Sequence, residues 1–187
     1  MSLIAILLWP YFTVHKEIRI DRLEAQKAFS CLLDIRENPK NFCQDFPFLK
    51  TYIPPKVKLK WNDTLSKVAE NKAIDLAQRK YFSHKDPDGY GINYFISQAG
   101  YKLNRDWTAD KSTGYFESLC AGAINGQNAI SLLINDYNEP TLGHRKHLLG
   151  IGSWYNSLVD VGIGFCWGDS TTPYKSYVCV IIAKHDW

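Results

Sequence analysis

Apolar side chains recur at the spacing of an amphipathic helix in several stretches of the chain. The pattern predicts a first helix over residues 20–36 and a second over residues 63–82, which Asn62 or Asp63 could cap. A short helix over residues 92–99 is closed by Gly100, because glycine adopts the left-handed conformation without penalty. A fourth helix, ended by Pro140, carries a stripe at i, i+3, i+4 and i+7, namely Ile130, Leu133, Ile134 and Tyr137.

Other segments have the period of β-strands. Apolar and other residues alternate over residues 159–166, a turn follows over residues 168–173, and residues 177–183 form the return strand. Both alternating faces of that return strand are apolar, which predicts that it is covered on both sides. Residues 115–121 form a further strand. We therefore predict an α+β fold, a three-layer α-β-α sandwich around a small, mostly antiparallel sheet.

Composition narrows the function classes. A chain of 187 residues is typical of a single domain, and 45% apolar and 14% aromatic residues are enough for a substantial core. The net charge is +3, and the lysines and arginines are scattered among acidic residues. Because no basic stripe is left to hold a phosphate backbone, we expect no nucleic-acid binding. The sequence also has no glycine-rich phosphate loop, Cys-x-x-Cys pair or internal repeat.

The N-terminus is apolar over residues 2–12 but too short there to span a bilayer, so no transmembrane span is expected. Two interpretations are open for residues 1–17. They resemble the apolar core of a secretory signal, although a positive leader and a small-residue cleavage site are lacking. They could equally be a buried N-terminal segment. Residues 18–187 then form one domain.

Five cysteines also leave alternatives open: Cys31, Cys43, Cys120, Cys166 and Cys179. Cys166 and Cys179 lie on the two strands of the predicted hairpin and could face each other as a disulfide. Free, buried thiols are the other reading, since cysteine packs well as a small apolar group. The cysteine content therefore fits an oxidising compartment without establishing one.

Two histidines and one carboxylate are the candidate chemistry. His84 lies in the loop segment FSHKDPDG, whose last four residues are typical of a turn, and His144 follows Gly143. Glu117 is a lone acid in an otherwise uncharged stretch. Imidazoles and a carboxylate from distant segments can form a metal site, with zinc or a similar divalent ion, or an acid–base site. Alternatively, the three groups hydrogen-bond to one another and only join the segments that carry them.

Two residues lie close in sequence to His144 and Glu117 and could also take part in the site. His147 lies three residues after His144, so one helical turn would bring both imidazoles to one side. It could be a second ligand, but we interpret it as a surface residue. Ser118 could serve as a nucleophile. Adjacent residues of a strand point to opposite faces, however, so Ser118 would turn away from a cleft that Glu117 enters.

The order of several motifs resembles the CAP superfamily, which comprises cysteine-rich secretory proteins, antigen 5 and pathogenesis-related 1 proteins. The motifs are PKVKLKWNDTL (55–65), FSH followed by PDG (82–89), and GHR followed by LL and then VGIG (143–164), the last being similar to the bacterial SCP-like branch. The resemblance covers about residues 18–187.

The resemblance implies an α-β-α sandwich with a central cleft that carries two histidines and one or two glutamates. Matched motif by motif, these are His84, His144 and Glu117. The middle motif here reads FES, without the family's glycine and asparagine. The second family glutamate has no clear counterpart; Glu139 and Asp136 are nearby candidates, followed by Pro140.

Three functions follow from this interpretation. The first is a binding module, extracellular, periplasmic or attached to the cell surface, whose polar cleft holds a divalent metal or a small ligand. The second is a peptidase or esterase in which His84 or His144 is the general base and Glu117 orients an imidazole or holds the metal. The chain lacks the His-Glu-x-x-His helix and the Gly-x-Ser-x-Gly elbow of common hydrolases, so we favour the binding module.

The third function is a lipid or sterol carrier, and a peptide is a further ligand class. Aromatic residues could edge a groove for such a ligand: Trp9, Tyr11, Phe12, Trp107, Tyr115, Trp154 and Tyr155. Aromatic residues are also common in the cores of sheet-containing domains, which is the simpler interpretation.

Overall fold

A computed structural model describes residues 17–137 and 139–186. All but residue 17 of the predicted N-terminal segment 1–17, and with it Trp9, Tyr11 and Phe12, therefore lies outside the described residues. Helix α1 spans Arg22–Glu37, as its apolar stripe predicts. It begins where the Asp21 carboxylate accepts a hydrogen bond from the backbone N–H of Glu24, at 3.2 Å.

Helix α2 spans Asp63–Gln78 and begins at a side-chain cap. The Asn62 side chain accepts a hydrogen bond from the backbone N–H of Leu65 at 3.0 Å. The predicted helix was too long by about one turn at its end, since Lys80 takes a left-handed conformation with φ 56°. The loop that carries His84 therefore begins earlier than the apolar pattern indicates.

Four shorter helices follow: α3 (Ile92–Gln98), α4 (Gly126–Asn135), α5 (Gly143–Leu149) and α6 (Ser153–Asn156). Helix α4 ends before the predicted stop at Pro140, because Asp136 is left-handed with φ 50°. The sequence pattern predicts only a single helical turn where α5 forms, and it does not predict α6.

The strands form one mixed sheet: β1 (Arg19–Ile20), β2 (Lys60–Trp61), β3 (Glu117–Ala121), β4 (Asp160–Trp167) and β5 (Ser176–Ala183). Their order is β1-β4-β5-β3, with antiparallel neighbours, and β2 pairs with β4 in parallel. Every residue of β5 is buried, so the prediction that this strand is covered on both faces is confirmed.

Helices cover both faces of the sheet, which confirms the three-layer α-β-α sandwich. Helix α2 lies against the face that carries Gly162 and Gly164. A Cβ atom at Gly162 would stand 2.1 Å from the backbone nitrogen of Ser66 in α2. On the other face, α5 reaches the sheet through His147, and α4 packs on α1, where the Gly126 N–H donates to the Glu24 carboxylate at 2.8 Å.

The five cysteines are all free thiols, and Cys120, Cys166 and Cys179 are buried. The disulfide considered between Cys166 and Cys179 is absent, because the register of the hairpin places Tyr177 opposite Cys166 and Gly164 opposite Cys179. Within the described ranges, no helix has both the length and the apolar character needed to cross a bilayer.

Candidate functional site

The loop that carries His84 is fixed from beneath by a buried lysine. Lys72 of α2 is 5% exposed, and its ammonium group donates to the carbonyls of Ser83 at 2.9 Å and His84 at 3.2 Å. Farther along, the Asp86 carboxylate accepts from the backbone N–H groups of Asp88 and Tyr90, which closes the turn that the sequence predicts. The backbone position of His84 is thus set by α2 and by the turn.

The His84 ring is oriented by Glu117 at the start of β3. The ring donates from Nδ1 to Glu117 Oε2 at 2.7 Å, and the other carboxylate oxygen accepts from Cys179 Sγ at 3.6 Å. The Glu117 side chain is completely buried, whereas the His84 side chain is 53% exposed. A buried carboxylate therefore holds one edge of an imidazole whose body reaches solvent.

His144 is oriented in the same way by a different carboxylate. The ring donates from Nδ1 to Asp136 Oδ1 at 2.7 Å, and the backbone N–H of Arg145 donates to Asp136 Oδ2 at 3.2 Å. The Arg145 side chain also donates to two carbonyls at the end of α4, at 2.8 and 2.6 Å. The left-handed end of α4 and the first turn of α5 are joined by these contacts.

The two rings face the same cavity. The ring centroids of His84 and His144 lie 6.5 Å apart at an interplanar angle of 29°. A cavity of about 340 Å³ is lined by both rings, by Glu117 and by Glu139. Each ring uses Nδ1 for its carboxylate, so in that neutral tautomer Nε2 carries the lone pair that a ligand could use.

The prediction that His147 is a surface residue is wrong. His147 is 3% exposed, accepts from the Ser118 hydroxyl at Nδ1 at 2.7 Å, and donates from Nε2 to the carbonyl of Ile182 at 3.3 Å. Burial lowers the pKa of the His147 imidazole to about 4. The ring is therefore neutral, and it joins α5 to β3 and β5.

Ser118 alternates with Glu117 along β3, as the strand geometry predicts, and its hydroxyl points to His147. Ser118 is nevertheless among the residues that line the cavity. With 1% of the residue exposed and its hydroxyl engaged with a neutral imidazole, Ser118 is shielded from a ligand.

Asp136 and Glu139, which the sequence offered only as nearby candidates for the second family glutamate, both belong to the site. Asp136 holds His144, and Glu139 accepts from the Thr141 hydroxyl at 2.6 Å. The hydrogen bonds from Thr141, and then the nearby His144, lower the pKa of the Glu139 carboxyl. The available signal for Asp136 was its position two residues after Ile134, the last apolar residue of α4, and eight residues before His144.

Four of the aromatic residues named from the sequence, Trp107, Tyr115, Trp154 and Tyr155, line the cavity or contact a ring that does. The ring of Trp154 lies 5.4 Å from that of Trp107 and 6.3 Å from that of Tyr115, and Tyr155 also lines the cavity. Tyr115 is 46% exposed. The rings of Tyr115, Trp154 and Tyr155 thus form part of the lining of the cleft, together with the two histidines.

The donor set has the chemistry of a divalent-metal site, but its spacing is wide. Within residues 17–137 and 139–186, no three His, Cys, Asp or Glu side chains are grouped to hold a metal ion. Two imidazoles on one tetrahedral zinc have ring centroids roughly 5 Å apart, since Zn–N bonds are about 2.1 Å long. The centroids of His84 and His144, at 6.5 Å, would have to approach each other first.

Comparisons with known proteins agree with this architecture. A family model described as the cysteine-rich secretory protein family, CAP, matches residues 55–151, which include His84, Glu117 and His144. No curated protein matches the chain.

Two solved structures share the fold at low identity. One is an extracellular protein containing an SCP domain from Bacillus anthracis, at 20% identity and a TM-score of 0.55. The alignment covers 88% of this chain but 41% of the Bacillus protein, so the chain spans less than half the length of that relative. The other is an outer surface protein of Borrelia burgdorferi, at 18% identity and a TM-score of 0.57, covering 90% of this chain and 98% of that one.

Proposed function

The chain belongs to the cysteine-rich secretory protein (CAP) family, and from this premise we propose that it is a secreted or surface-attached binding module. Its cleft binds a small polar ligand between His84 and His144, and a divalent cation is the first candidate. The observation that carries the proposal is the pair of imidazoles on one cavity, each held at Nδ1 by a carboxylate at 2.7 Å.

In metal sites, a carboxylate commonly accepts a hydrogen bond from the histidine ring nitrogen that does not bind the metal. This carboxylate fixes the tautomer and orientation of the ring and raises the basicity of the nitrogen that binds. Glu117 and Asp136 supply this support to His84 and His144. His84 is half exposed, so its ring has room to move toward His144 when a cation arrives. A bound cation would supply positive charge and open coordination positions for an anionic ligand.

An extracellular or surface location is supported by two observations. The two similar structures are described as an extracellular protein and an outer surface protein. The apolar stretch over residues 2–12 is also what a secretory signal requires at its centre. The free cysteines add no support, because a disulfide would be the mark of an oxidising compartment.

A hydrolase is the second candidate, and the Glu117–His84 pair favours it, since a carboxylate that orients an imidazole is also the arrangement of a general base. The shielding of Ser118 argues against a serine nucleophile, so a hydrolase of this kind would activate water. Turnover of a peptide or ester panel that disappears in a His84→Ala variant would favour this candidate over the binding module.

The aromatic part of the cleft lining is relevant to the third candidate, a lipid or sterol carrier. Tyr115, Trp154 and Tyr155 would contact an apolar ligand, but the same cavity of about 340 Å³ also exposes histidine and carboxylate groups to it. Burying those groups against a lipid without hydrogen bonds is unfavourable. The lining therefore favours a polar ligand.

The test is the dependence of the melting temperature on zinc. Ligand at a hundred times its Kd stabilises the folded state by about 2.7 kcal/mol, so zinc should raise the melting temperature of the unaltered protein by several degrees. The double variant His84→Ala, His144→Ala should lose this shift. His185→Gln, which alters a histidine outside the cleft, should keep it. Equal shifts in the unaltered protein and the double variant would contradict the proposal.

A further inference from the structure

Arg36, in the last turn of α1, carries a buried guanidinium that faces no carboxylate among the described residues. The residue is 5% exposed, and neither Nη1 nor Nη2 has a hydrogen-bond partner within the part of the chain that the structure describes. Arginine carries five N–H donors and keeps its charge, so leaving two buried nitrogens unpaired is unfavourable. Such a group indicates a site whose partner lies outside the described residues, and a small anion from solution is a partner of the right chemistry.

The residues around the guanidinium leave space for it but place no negative charge beside it. Gly150, which ends α5, is so close that a Cβ atom there would stand 2.4 Å from Arg36 Nη2. The Tyr52 hydroxyl donates its own proton to the carbonyl of Leu149 at 2.6 Å, and its charge interaction and side-chain hydrogen bond with Arg36 offset only part of the cost of burying the guanidinium. Burial lowers the pKa of the Arg36 guanidinium, which reflects the loss of solvation that no anion offsets.

A cavity of about 220 Å³ adjoins Arg36 and is positively charged. Arg36, Lys56, Lys58 and Glu37 are the charged residues among those that line it. Lys58 is paired with Glu37 at 2.9 Å, which leaves Arg36 and Lys56 uncompensated within this lining. The volume corresponds to that of about seven waters in the liquid, enough for a small anion with part of its hydration shell.

We propose that Arg36 and Lys56 form a binding site for a small oxyanion, a carboxylate or phosphate group, separate from the cleft of His84 and His144. The planar guanidinium matches both oxyanions by two parallel N–H···O hydrogen bonds, and Lys56 adds charge at the rim. The two cavities have no lining residue in common.

The route to Arg36 lies beneath residues 52–59, which form neither helix nor strand. This segment carries Lys56 and the prolines Pro54 and Pro55, and Ile53 within it is 86% exposed. The Nη atoms have almost no exposed surface of their own, so an anion reaches them when this segment shifts outward. A segment held by few buried contacts can shift at low cost.

The probe is inorganic phosphate, titrated calorimetrically into the full chain at constant ionic strength against sodium chloride. We expect saturable binding of one phosphate per chain. Lys56→Gln should weaken it by about threefold, as expected for an exposed charge. Arg36→Met should weaken it by at least about a hundredfold, because two charge-assisted hydrogen bonds are lost. Repeating the titration with acetate distinguishes phosphate from carboxylate as the preferred group.

Two controls assign the site. Lys175→Gln removes an exposed lysine outside this cavity and should bind phosphate as the unaltered protein does. The double variant His84→Ala, His144→Ala should also bind it normally, so failure of the cleft proposal would leave this result unaffected. Absence of saturable binding in the unaltered protein, or unchanged binding in Arg36→Met, would overturn the proposal. If Arg36→Met does not fold, the phosphate affinities of Lys56→Gln and Lys175→Gln are compared instead. Equal affinities in these two variants would overturn the proposal.

Discussion

At the scale of single residues, the surroundings of each histidine set its role. His84 and His144 each have a carboxylate at 2.7 Å, whereas His147 has a serine hydroxyl and a backbone carbonyl. All three rings come from short polar motifs that look alike in the sequence. What separates them is burial and the identity of a partner that is distant along the chain, and neither is visible in a local motif.

Stability should depend on pH through His147. The pKa of this imidazole is lowered from 6.5 to about 4 in the folded protein, so the unfolded chain binds the proton more strongly between those values. The contribution is fully present above pH 6.5 and is lost as the pH falls toward 4, by up to about 3 kcal/mol in the free energy of unfolding.

Urea unfolding at pH 7, 5.5 and 4.5 measures this loss. In a His147→Gln variant, the decline over the same range should be smaller, because glutamine has no proton to take up. The comparison isolates the effect of His147, since the carboxylates contribute equally to the pH dependence of stability in both proteins. Parallel declines in the two proteins would show that His147 is not the titrating group.

At the scale of elements, two glycines let α2 lie directly on the sheet. Gly162 and Gly164 of β4 face α2, and a Cβ atom at Gly164 would stand 2.3 Å from the backbone carbonyl carbon of Ala69. The sequence shows these glycines in an alternating strand pattern without indicating what approaches them. The close approach brings Lys72 of α2 under the loop that carries His84. The packing of α2 on the sheet therefore also positions His84.

Gly164→Ala should therefore destabilise the protein by about 2 kcal/mol or more, as overpacking does in a close-packed interior. The matched control is Gly114→Ala, where the nearest atom to the added Cβ is Ile92 Cγ2 at 3.9 Å. That change should stay within about 0.5 kcal/mol. Urea unfolding of both variants checks the difference, and equal losses would mean that α2 does not pack as described.

Element boundaries show what local patterns can predict. Helices α1, α2 and α4 and the hairpin follow from apolar periodicity, because each buries a continuous face of adequate length, and α3 follows from the glycine that ends it. Helix α5 has seven residues and few apolar positions, so no stripe marks it. The parallel pairing of the two-residue strand β2 with β4 joins residues about a hundred positions apart, which periodicity does not encode.

At the scale of the whole molecule, the sandwich itself was predictable, since a strand that is apolar on both faces requires a layer on each side. The convergence of His84, Glu117 and His144 was expected from the order of the motifs. Asp136 could not be assigned from sequence, because its contact with His144 depends on the left-handed turn that ends α4.

The redox state is a property of the whole chain that can be measured directly. Thiol titration of the denatured protein without reductant should count five free cysteines. In the native protein, the buried thiols should react slowly, because burial raises the pKa of the Cys120 and Cys166 thiols to about 11 and that of Cys179 well above its usual range. A count of three or fewer in denaturant would reveal a disulfide and contradict the described structure.

The shared cleft is tested most directly by nuclear magnetic resonance of ¹⁵N-labelled histidine during a zinc titration. If His84 and His144 bind one cation, their Nε2 resonances should shift together with a single Kd, while both nitrogens of His147 stay unchanged because its ring is engaged with Ser118 and Ile182. Shifts confined to one ring, or no shift in either, would contradict the account.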